Sequence, residues 1–346
     1  MGMCLKTCIF SVEILDKLLG SSSITIKTYA PTLAPAWESV LKVSSNGTFM
    51  HSRNYLEYHG DKFVDASVVV YWDGLPVGIF PSHRIEDEIY SHEGLTYGGL
   101  VIHRDLKTEA IVAVVKEILK HYFDLQVTRL YIKEIPSFYT TSSQEWMSYC
   151  MFLLGAEVFR SDLSFALQLP ASYSAYTKGR KWGLNKARKA DLRVEEVRDY
   201  QPFWMEVLMP NLWERHRVKP VHTVEEMQWL AENNAPFIRQ FDVLEEGKVV
   251  AGMTVYETRT TVHAQYIAAS PRGKELAALD LLVDRLVQKV FSHKAYFDLG
   301  TVNEGQGKRI NKGLMAWKES FGAKPYVHQF YKVETDRFGA LEAALS

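Results

Sequence analysis

A basic segment near the middle of the chain is the densest group of side chains that could hold a charged substrate. Residues 178–189 contain six lysines and arginines and no acidic residue. Such a run usually forms a solvated helix face, but cationic side chains are also what a phosphate group needs. We therefore predict substrate contacts from Arg180, Lys181, Asn185, Lys186 and Arg188, with a solvated surface as the alternative.

A glycine-rich stretch in the first half could form the wall of a substrate site. Residues 91–99 read Ser-His-Glu-Gly-Leu-Thr-Tyr-Gly-Gly, a polar strand without the apolar alternation of a core strand. Glycines let a ligand approach the backbone closely, and His92, Glu93 and Tyr97 would supply hydrogen-bond donors and acceptors. The alternative is a bulged edge strand whose polar side chains are simply exposed.

A loop rich in titratable groups follows the basic segment. Residues 214–222 include His216 and His222. A histidine that titrates near neutrality can accept the proton of an ammonium group, although a loop histidine is more often structural. His222 is predicted to be a catalytic residue and His216 to contact the substrate.

The composition argues against several classes of protein. A formal net charge of −1 is unlike that of a protein whose whole surface binds a polyanion. Three cysteines cannot all pair and have no zinc-site spacing, so neither disulfides nor a metal are expected. No Gly-x-Ser-x-Gly motif indicates an acyl-enzyme. Because no long apolar run or secretion signal is present, we expect a cytoplasmic protein without a membrane span.

The elements that would position these residues occur twice in the same order. In the first half, strands at 68–72 and 77–80 flank the turn Asp73-Gly74. They lead through a third strand at 90–100 and a helix at 110–123 to a strand at 130–133. The second half repeats this order over residues 241–299, with Glu246-Gly247 as the turn. The repeat predicts two α/β units with closely similar topology.

Two domains are also the natural division of 346 residues. Pro170 follows a strand and precedes the basic segment, so we place the boundary there. The prediction is a leader helix at 1–23, a first domain at 24–168 and a second domain at 169–324. The tail at 325–346 alternates as a strand at first and could complete the first domain.

The acyl-CoA-binding core of GNAT acyltransferases has the same order of elements, namely a hairpin, a third strand, a helix and a further strand. Residues 180–187 are similar to a basic helix of the FemABX family of aminoacyl and peptidyl transferases, and residues 297–300 and 313–322 to that family's closing motif. The chain thus resembles a FemABX-like double GNAT protein. The resemblance implies an α/β (α+β) fold of tandem GNAT-like domains, each a mixed, mostly antiparallel central sheet flanked by helices.

The resemblance also implies catalytic residues. Lys318 would stabilise the oxyanion or hold a substrate phosphate, and Asp298 would orient Lys318 or the attacking amine. Trp317, beside it in the motif, would contact the substrate. The alternatives are a lysine that extends over Trp317 and Phe321 towards water, and an aspartate that caps a turn.

In the GNAT layout, the loop after the third strand of the second domain would bind the pyrophosphate of an acyl-CoA. Arg272, Gly273 and Lys274 lie at this helix start, where backbone N–H groups favour an anion. Gln265 and Ile267 lie on the preceding strand and would bind the donor through their backbone. A surface turn capped by charges is the alternative.

These observations predict an N-acyltransferase that moves an acyl or aminoacyl group to a primary amine of a sugar nucleotide, glycan precursor or peptide. Acyl-CoA is the favoured co-substrate, and a role in cell-envelope or polysaccharide biosynthesis is implied by the resemblance. The alternatives are a FemABX-type peptidyltransferase that uses aminoacyl-tRNA, and a non-catalytic binding protein with the same double fold.

Overall fold

The computed structural model describes residues 23–345 in two compact units. Unit 1 consists of residues 23–160 and 329–345, and unit 2 of residues 161–328. The boundaries predicted from the sequence lie at 168/169 and 324/325. The leader helix predicted for residues 1–23 falls outside the described residues, apart from Ser23.

Unit 1 contains two sheets, of which the first has the strand order β1-β3-β4-β7 and the second the order β8-β6-β5-β2. The strands are β1 (Ile24–Thr28), β2 (Val64–Asp65), β3 (Val68–Trp72), β4 (Leu75–Phe80), β5 (His83–Ile85), β6 (Glu88–Tyr90), β7 (Val101–Ile102) and β8 (Arg129–Lys133). The helices are α1 (Ala34–Val43), α2 (Arg53–Leu56), α3 (Thr108–Asp124) and α4 (Glu145–Leu153). The predicted helix at 110–123 is confirmed as α3, whose buried face includes Val114, Ile118 and Leu119.

The third strand predicted for residues 90–100 of unit 1 is wrong. Only Tyr90, at the end of β6, is extended there, and β7 begins at Val101. His92 and Gly99 have φ angles of 69° and 90°, which are incompatible with a strand. A Cβ on Gly98 would lie 2.0 Å from the carbonyl oxygen of Ser91, so the segment folds back on itself where only glycine fits.

Unit 2 is built on a sheet with the strand order β10-β11-β12-β13-β14-β9. The strands of this sheet are β9 (Glu157–Gln168), β10 (Arg193–Val197), β11 (Ile238–Glu245), β12 (Lys248–Glu257), β13 (Thr261–Ala269) and β14 (Tyr296–Thr301). β15 (Asn303–Glu304) and β16 (Arg309–Ile310) pair with each other in a separate two-stranded sheet. β17 (Lys324–Glu334) begins in unit 2 and ends in unit 1. Within unit 1, Phe330–Glu334 of β17 pair with β8, antiparallel. The predicted tail strand is therefore confirmed.

Helices of three kinds complete the fold. The α-helices are α5 (Lys178–Lys189), α6 (Met209–His216), α7 (Val224–Asn233), α8 (Pro271–Glu275), α9 (Ala278–Arg285), α10 (Lys312–Glu319) and, in unit 1, α11 (Gly339–Leu345). π-helical turns lie at Phe203–Leu208 and Leu286–Val290. Short 3-10 turns lie at Pro31–Leu33, Phe49–His51, Glu57–Lys62, Ser137–Tyr139, Tyr173–Ala175 and Thr335–Phe338. The helix predicted at 277–291 is confirmed, because α9 continues directly into the π-helical turn that ends at Val290. Ala277, with a φ of 56°, separates it from α8.

The sheet of unit 2 opens between two neighbouring strands. β13 and β14 are parallel, and their pairing runs from Thr261 opposite Tyr296 to His263 opposite Asp298. β13 continues to Ala269 and β14 to Thr301 beyond this point. The register between β12 and β13 also shifts at Gln265, which is the extra residue of a β-bulge. His263 and Asp298 therefore lie where the two strands stop pairing.

Helix α5 is held against α9 by two ion pairs within unit 2. Arg180 pairs with Asp280, and Arg188 with Asp284 at 3.0 Å. Gly183 allows the close approach, because a Cβ there would lie 2.2 Å from a carboxylate oxygen of Asp280. The inner face of the basic segment is thus fixed by residues about 100 positions later.

We expect Gly273→Ala to destabilise unit 2, because a Cβ on Gly273 would lie 2.1 Å from the carbonyl oxygen of Val250. The expected loss is about 1–3 kcal/mol of unfolding free energy, measured by urea denaturation. Gly179→Ala is the matched control, because no atom lies within 4 Å of a Cβ there. It should stabilise the chain by about 0.4–1 kcal/mol. Equal effects would contradict the packing described for Gly273.

Candidate functional site

A histidine and an aspartate meet at the point where β13 and β14 diverge. The Nδ1 atom of His263 lies 2.8 Å from Oδ2 of Asp298. The other carboxylate oxygen accepts the Ser164 hydroxyl at 2.7 Å and the Gly300 N–H at 2.8 Å. Because the carboxylate accepts hydrogen bonds only, Nδ1 carries a proton, and in the neutral imidazole Nε2 presents its lone pair. The pair is the geometry of a proton acceptor with a fixed tautomer.

Both side chains of the pair are largely buried. Asp298 is 3% exposed, and the His263 side chain is 12% exposed. A buried carboxylate is costly unless its oxygens are hydrogen-bonded, and here β9, β13 and β14 each supply a donor. Sequence reasoning missed His263. The signal that was present is its place in the apolar strand segment Val262-His263-Ala264.

Lys318 reaches the same place from α10. Its Nζ atom donates to the carbonyl oxygens of Gly300 and Thr301 at 2.7 and 2.8 Å. The side chain is 3% exposed, so the alternative of a lysine that extends into water is wrong. Burial lowers the pKa of Lys318 to about 8, although the negative charge of Asp298 acts in the opposite direction.

Gly300 joins the two groups. It has a φ of 79°, and a Cβ built on it would lie 3.6 Å from Cε1 of His263 and 3.8 Å from Nζ of Lys318. The imidazole and the amine therefore converge on one glycine, with Asp298 bonded to its N–H. The structure brings together two predicted residues, Lys318 and Asp298, and adds His263 to them.

His222 contacts β13 at Tyr266, three residues after His263. Its Nδ1 atom is 2.6 Å from the hydroxyl of Tyr266 on β13, and its carbonyl oxygen accepts the indole N–H of Trp204 at 3.3 Å. Both contacts anchor the loop before α7. The catalytic role of His222 stays a prediction. The side chain of His216 lies outside the described residues.

In the loop predicted to bind pyrophosphate, the groups of Gly273 and Arg272 already bond other protein groups. The Ser270 hydroxyl accepts the N–H of Gly273 at 3.1 Å and so caps α8. The guanidinium of Arg272 pairs with Glu245 at 2.6 Å and Glu275 at 3.1 Å. Lys274 is exposed, and Ile267 is half-buried on β13 beyond the bulge at Gln265. Donor binding by these residues stays a prediction.

The predicted substrate contacts of α5 divide into two groups. Arg180 bonds Asp280 and the hydroxyl of Ser320, and its guanidinium lies 4.4 Å from the Phe321 ring centroid. Trp317 packs edge-on against Phe321. Arg180 and Trp317 thus take part in the packing around α5 and α10. Arg188 pairs with Asp284 of α9. Asn185 and Lys186 are exposed, and Lys181 is half-buried.

The predicted substrate wall of unit 1 is largely buried. Tyr97 is 0% exposed, and its ring centroid lies 4.4 Å from that of Tyr139, with the two rings tilted by 45°. His92 lies 5.0 Å from His59, between ring centroids, and burial lowers the pKa of His92 to about 3. Glu93 is exposed, with its carboxylate 3.6 Å from Nε2 of His83. Substrate binding by His92, Glu93 and Tyr97 stays a prediction.

The described residues contain neither a group that could hold a metal ion nor a helix that could span a membrane. In residues 23–345, no group of His, Cys, Asp and Glu side chains is arranged to hold a metal ion. No helix in the same part of the chain has the length and apolar character needed to cross a bilayer.

We expect the stability of the wild-type chain to rise relative to Lys318→Met between pH 7 and pH 10. The unfolded chain binds more protons than the folded chain between pKa values of about 8 and 10.5, so the free energy of unfolding increases with pH there. The expected relative gain is about 2 kcal/mol, measured by urea denaturation at both pH values. A difference that does not change with pH would show that the Lys318 amine is not buried as described.

Solved structures of other proteins, but no family models or curated sequences, are similar to this chain. No family model matches the sequence, and no curated protein matches it. Among solved structures, the chain is similar to FemX, with a TM-score of 0.66 and 10% identity over 93% of this chain and 100% of that chain.

Two further structures are similar over most of both chains. L-PGS from Bacillus licheniformis has a TM-score of 0.56 and 12% identity over 90% of this chain and 94% of that chain. The tandem GNAT protein from the clavulanic acid biosynthesis pathway has a TM-score of 0.53 and 11% identity over 90% and 99%. The chain therefore has a FemX-like double GNAT fold, as its sequence predicts.

Proposed function

We propose that the chain transfers an acyl or aminoacyl group to a primary amine, with His263 of unit 2 as the proton acceptor. The observation that carries the proposal is the 2.8 Å contact between Nδ1 of His263 and the buried Asp298 carboxylate. It leaves Nε2 as an acceptor at the point where β13 and β14 stop pairing. The fold shared with FemX and the tandem GNAT protein is consistent with such a transfer.

The reaction requires one proton acceptor and one site for negative charge. The acceptor amine attacks the carbonyl carbon of the donor and forms a C–N bond, while Nε2 of His263 takes the proton that the amine loses. The resulting imidazolium is stabilised by Asp298, which remains ionised. The tetrahedral oxyanion then expels the donor's leaving group, a thiolate for acyl-CoA or a ribose hydroxyl oxygen for aminoacyl-tRNA, and His263 returns the proton to it.

The opened edge of β13 is the proposed place for the donor. Backbone groups between His263 and Ala269 lie beyond the pairing with β14. Their N–H groups can bind amide oxygens of an extended donor and the developing oxyanion, as an added strand would. Gln265 and Ile267 lie in this segment, which supports their predicted role.

Lys318 acts in this proposal by holding the end of β14. Two of its N–H groups are donated to the carbonyl oxygens of Gly300 and Thr301, so at most one remains for a substrate oxygen. It keeps Gly300 against His263 and places a positive charge near the oxyanion. Ser164 is a positioning residue, because it bonds Asp298 and not the reacting groups.

The chemical classes of the donor and the acceptor are proposed from the sequence. A net charge of −1 favours acyl-CoA over aminoacyl-tRNA. The acceptor would be an amine of a sugar nucleotide, glycan precursor or peptide, used in the cytoplasm during envelope or polysaccharide synthesis. Arg272 and Lys274 remain candidates for the pyrophosphate of CoA, but Arg272 would have to exchange its carboxylate partners for it.

We expect His263→Gln to lower kcat by about 10²–10⁴, because the amine would lose its proton acceptor while substrate contacts stay. The assay is thiol release from acetyl-CoA with a panel of aminosugar nucleotides and amino-terminal peptides. KM for acetyl-CoA should change little. His293→Gln removes an exposed histidine of the same unit and should leave the rate unchanged.

His222→Gln separates the two candidate bases in the same assay. If His222→Gln lowers kcat as much as proposed for His263→Gln, while His263→Gln does not, the base is His222. If no donor gives turnover and acetyl-CoA or an aminosugar nucleotide still binds, the alternative of a non-catalytic double GNAT protein is correct.

We expect isothermal titration to give saturable binding of acetyl-CoA to the full chain, and weaker binding of aminoacyl-tRNA. A single small donor makes few phosphate contacts, so its affinity should depend weakly on salt. Tight binding of aminoacyl-tRNA that falls steeply with salt, without binding of acetyl-CoA, would reverse the choice of donor. Acyl transfer by His263 would then still be testable with the other donor.

A further inference from the structure

We propose that the outward face of helix α5 binds an anionic lipid surface. This surface, which we call the α5 ridge, consists of Lys178, Trp182, Lys186 and Lys189. Its members occupy positions spaced by one helical turn, so they form a stripe along one side of the helix. The proposal is independent of the reaction assigned to unit 2.

The opposite face of α5 is firmly attached to unit 2. Gly183, Leu184 and Ala187 are buried, and Arg180 and Arg188 pair with Asp280 and Asp284. These contacts use the two arginines and fix the rotation of the helix about its axis. The ridge is therefore displayed on a rigid element.

The charge of the ridge is not compensated locally. α5 carries no acidic residue, and in the described part of the chain Lys178, Lys186 and Lys189 form no ion pair with a carboxylate. All three are exposed. A chain with a formal net charge of −1 thus presents a local cationic stripe, which is complementary to an anionic surface.

The ridge carries one aromatic ring suited to the water–lipid boundary, and a second lies just before α5. Trp182 is 69% exposed, and the Lys186 ammonium lies 5.6 Å from its ring centroid. Tyr173, just before α5, is 40% exposed, with Lys181 5.3 Å from its ring centroid. Tryptophan and tyrosine rings between lysines are the composition of interfacial helices, where lysines reach the headgroups and rings enter the boundary.

The shape of the ridge favours a lipid surface over a polynucleotide. Proteins that bind single-stranded nucleic acids generally do so in a groove that follows the backbone. The α5 ridge is the convex outer side of one helix of twelve residues. A convex line of charges can touch a plane along its whole length, so peripheral contact with a bilayer is the better match.

The test is flotation of the full chain with vesicles of phosphatidylcholine alone or mixed with phosphatidylglycerol. We expect binding only to the anionic vesicles, weakened by salt. The triple variant Lys178→Gln, Lys186→Gln and Lys189→Gln should bind about a hundredfold more weakly, because each lysine near an anionic membrane contributes about a fivefold effect. The control is a second triple variant with Lys248→Gln, Lys289→Gln and Lys324→Gln. It changes the net charge equally, at exposed lysines of unit 2, and should bind as the wild type does.

A second measurement locates the contact without altering charge. Lipids brominated near the headgroup should quench part of the wild-type tryptophan fluorescence, and that part should disappear in Trp182→Phe. Equal binding of the two triple variants, quenching that persists in Trp182→Phe, or no binding to anionic vesicles would each overturn the proposal. Ridge-dependent binding of single-stranded RNA without binding of vesicles would assign the ridge to a nucleic acid instead.

Discussion

The buried carboxylate of Asp298 is the constraint on which the candidate site depends. A charge that is 3% exposed must be satisfied by hydrogen bonds, and it receives them from His263, Ser164 and the N–H of Gly300. These donors come from three neighbouring strands, β13, β9 and β14. The carboxylate therefore fixes both the tautomer of His263 and the positive φ of the chain at Gly300.

β13 and β14 diverge at Asp298, and Lys318 lies beside the same point. Pairing of the strands ends at His263 and Asp298, where the chain then turns at Gly300. The carbonyl oxygens of Gly300 and Thr301 point to the buried amine of Lys318. A cation is tolerated there because the oxygens and the Asp298 charge offset part of its desolvation, which still lowers the pKa to about 8.

Much of the fold could be predicted because each element has a local signal. The turns at Asp73-Gly74 and Glu246-Gly247 and the apolar face of α3 are all present in the structure. Residues 90–100 could not be predicted correctly, because positive φ angles at His92 and Gly99 depend on tertiary contacts. The partners Asp280 and Asp284 of the basic helix lie far along the chain, so its inner and outer faces were indistinguishable from the sequence. Lys318 and Asp298 were predicted by resemblance, whereas His263 becomes visible only when parallel strands bring it opposite Asp298.

The central claim is that Asp298 holds His263 with its proton on Nδ1 and its lone pair on Nε2. Nitrogen NMR of the histidine side chains, at a pH where the His263 ring is neutral, tests it most directly, with His263→Gln to assign the resonances. The account predicts a protonated Nδ1 and an unprotonated Nε2 for His263, and a change in this tautomer in Asp298→Asn, which can also donate a hydrogen bond. A His263 proton on Nε2 in the wild-type chain, or a tautomer unaffected by Asp298→Asn, would contradict the account.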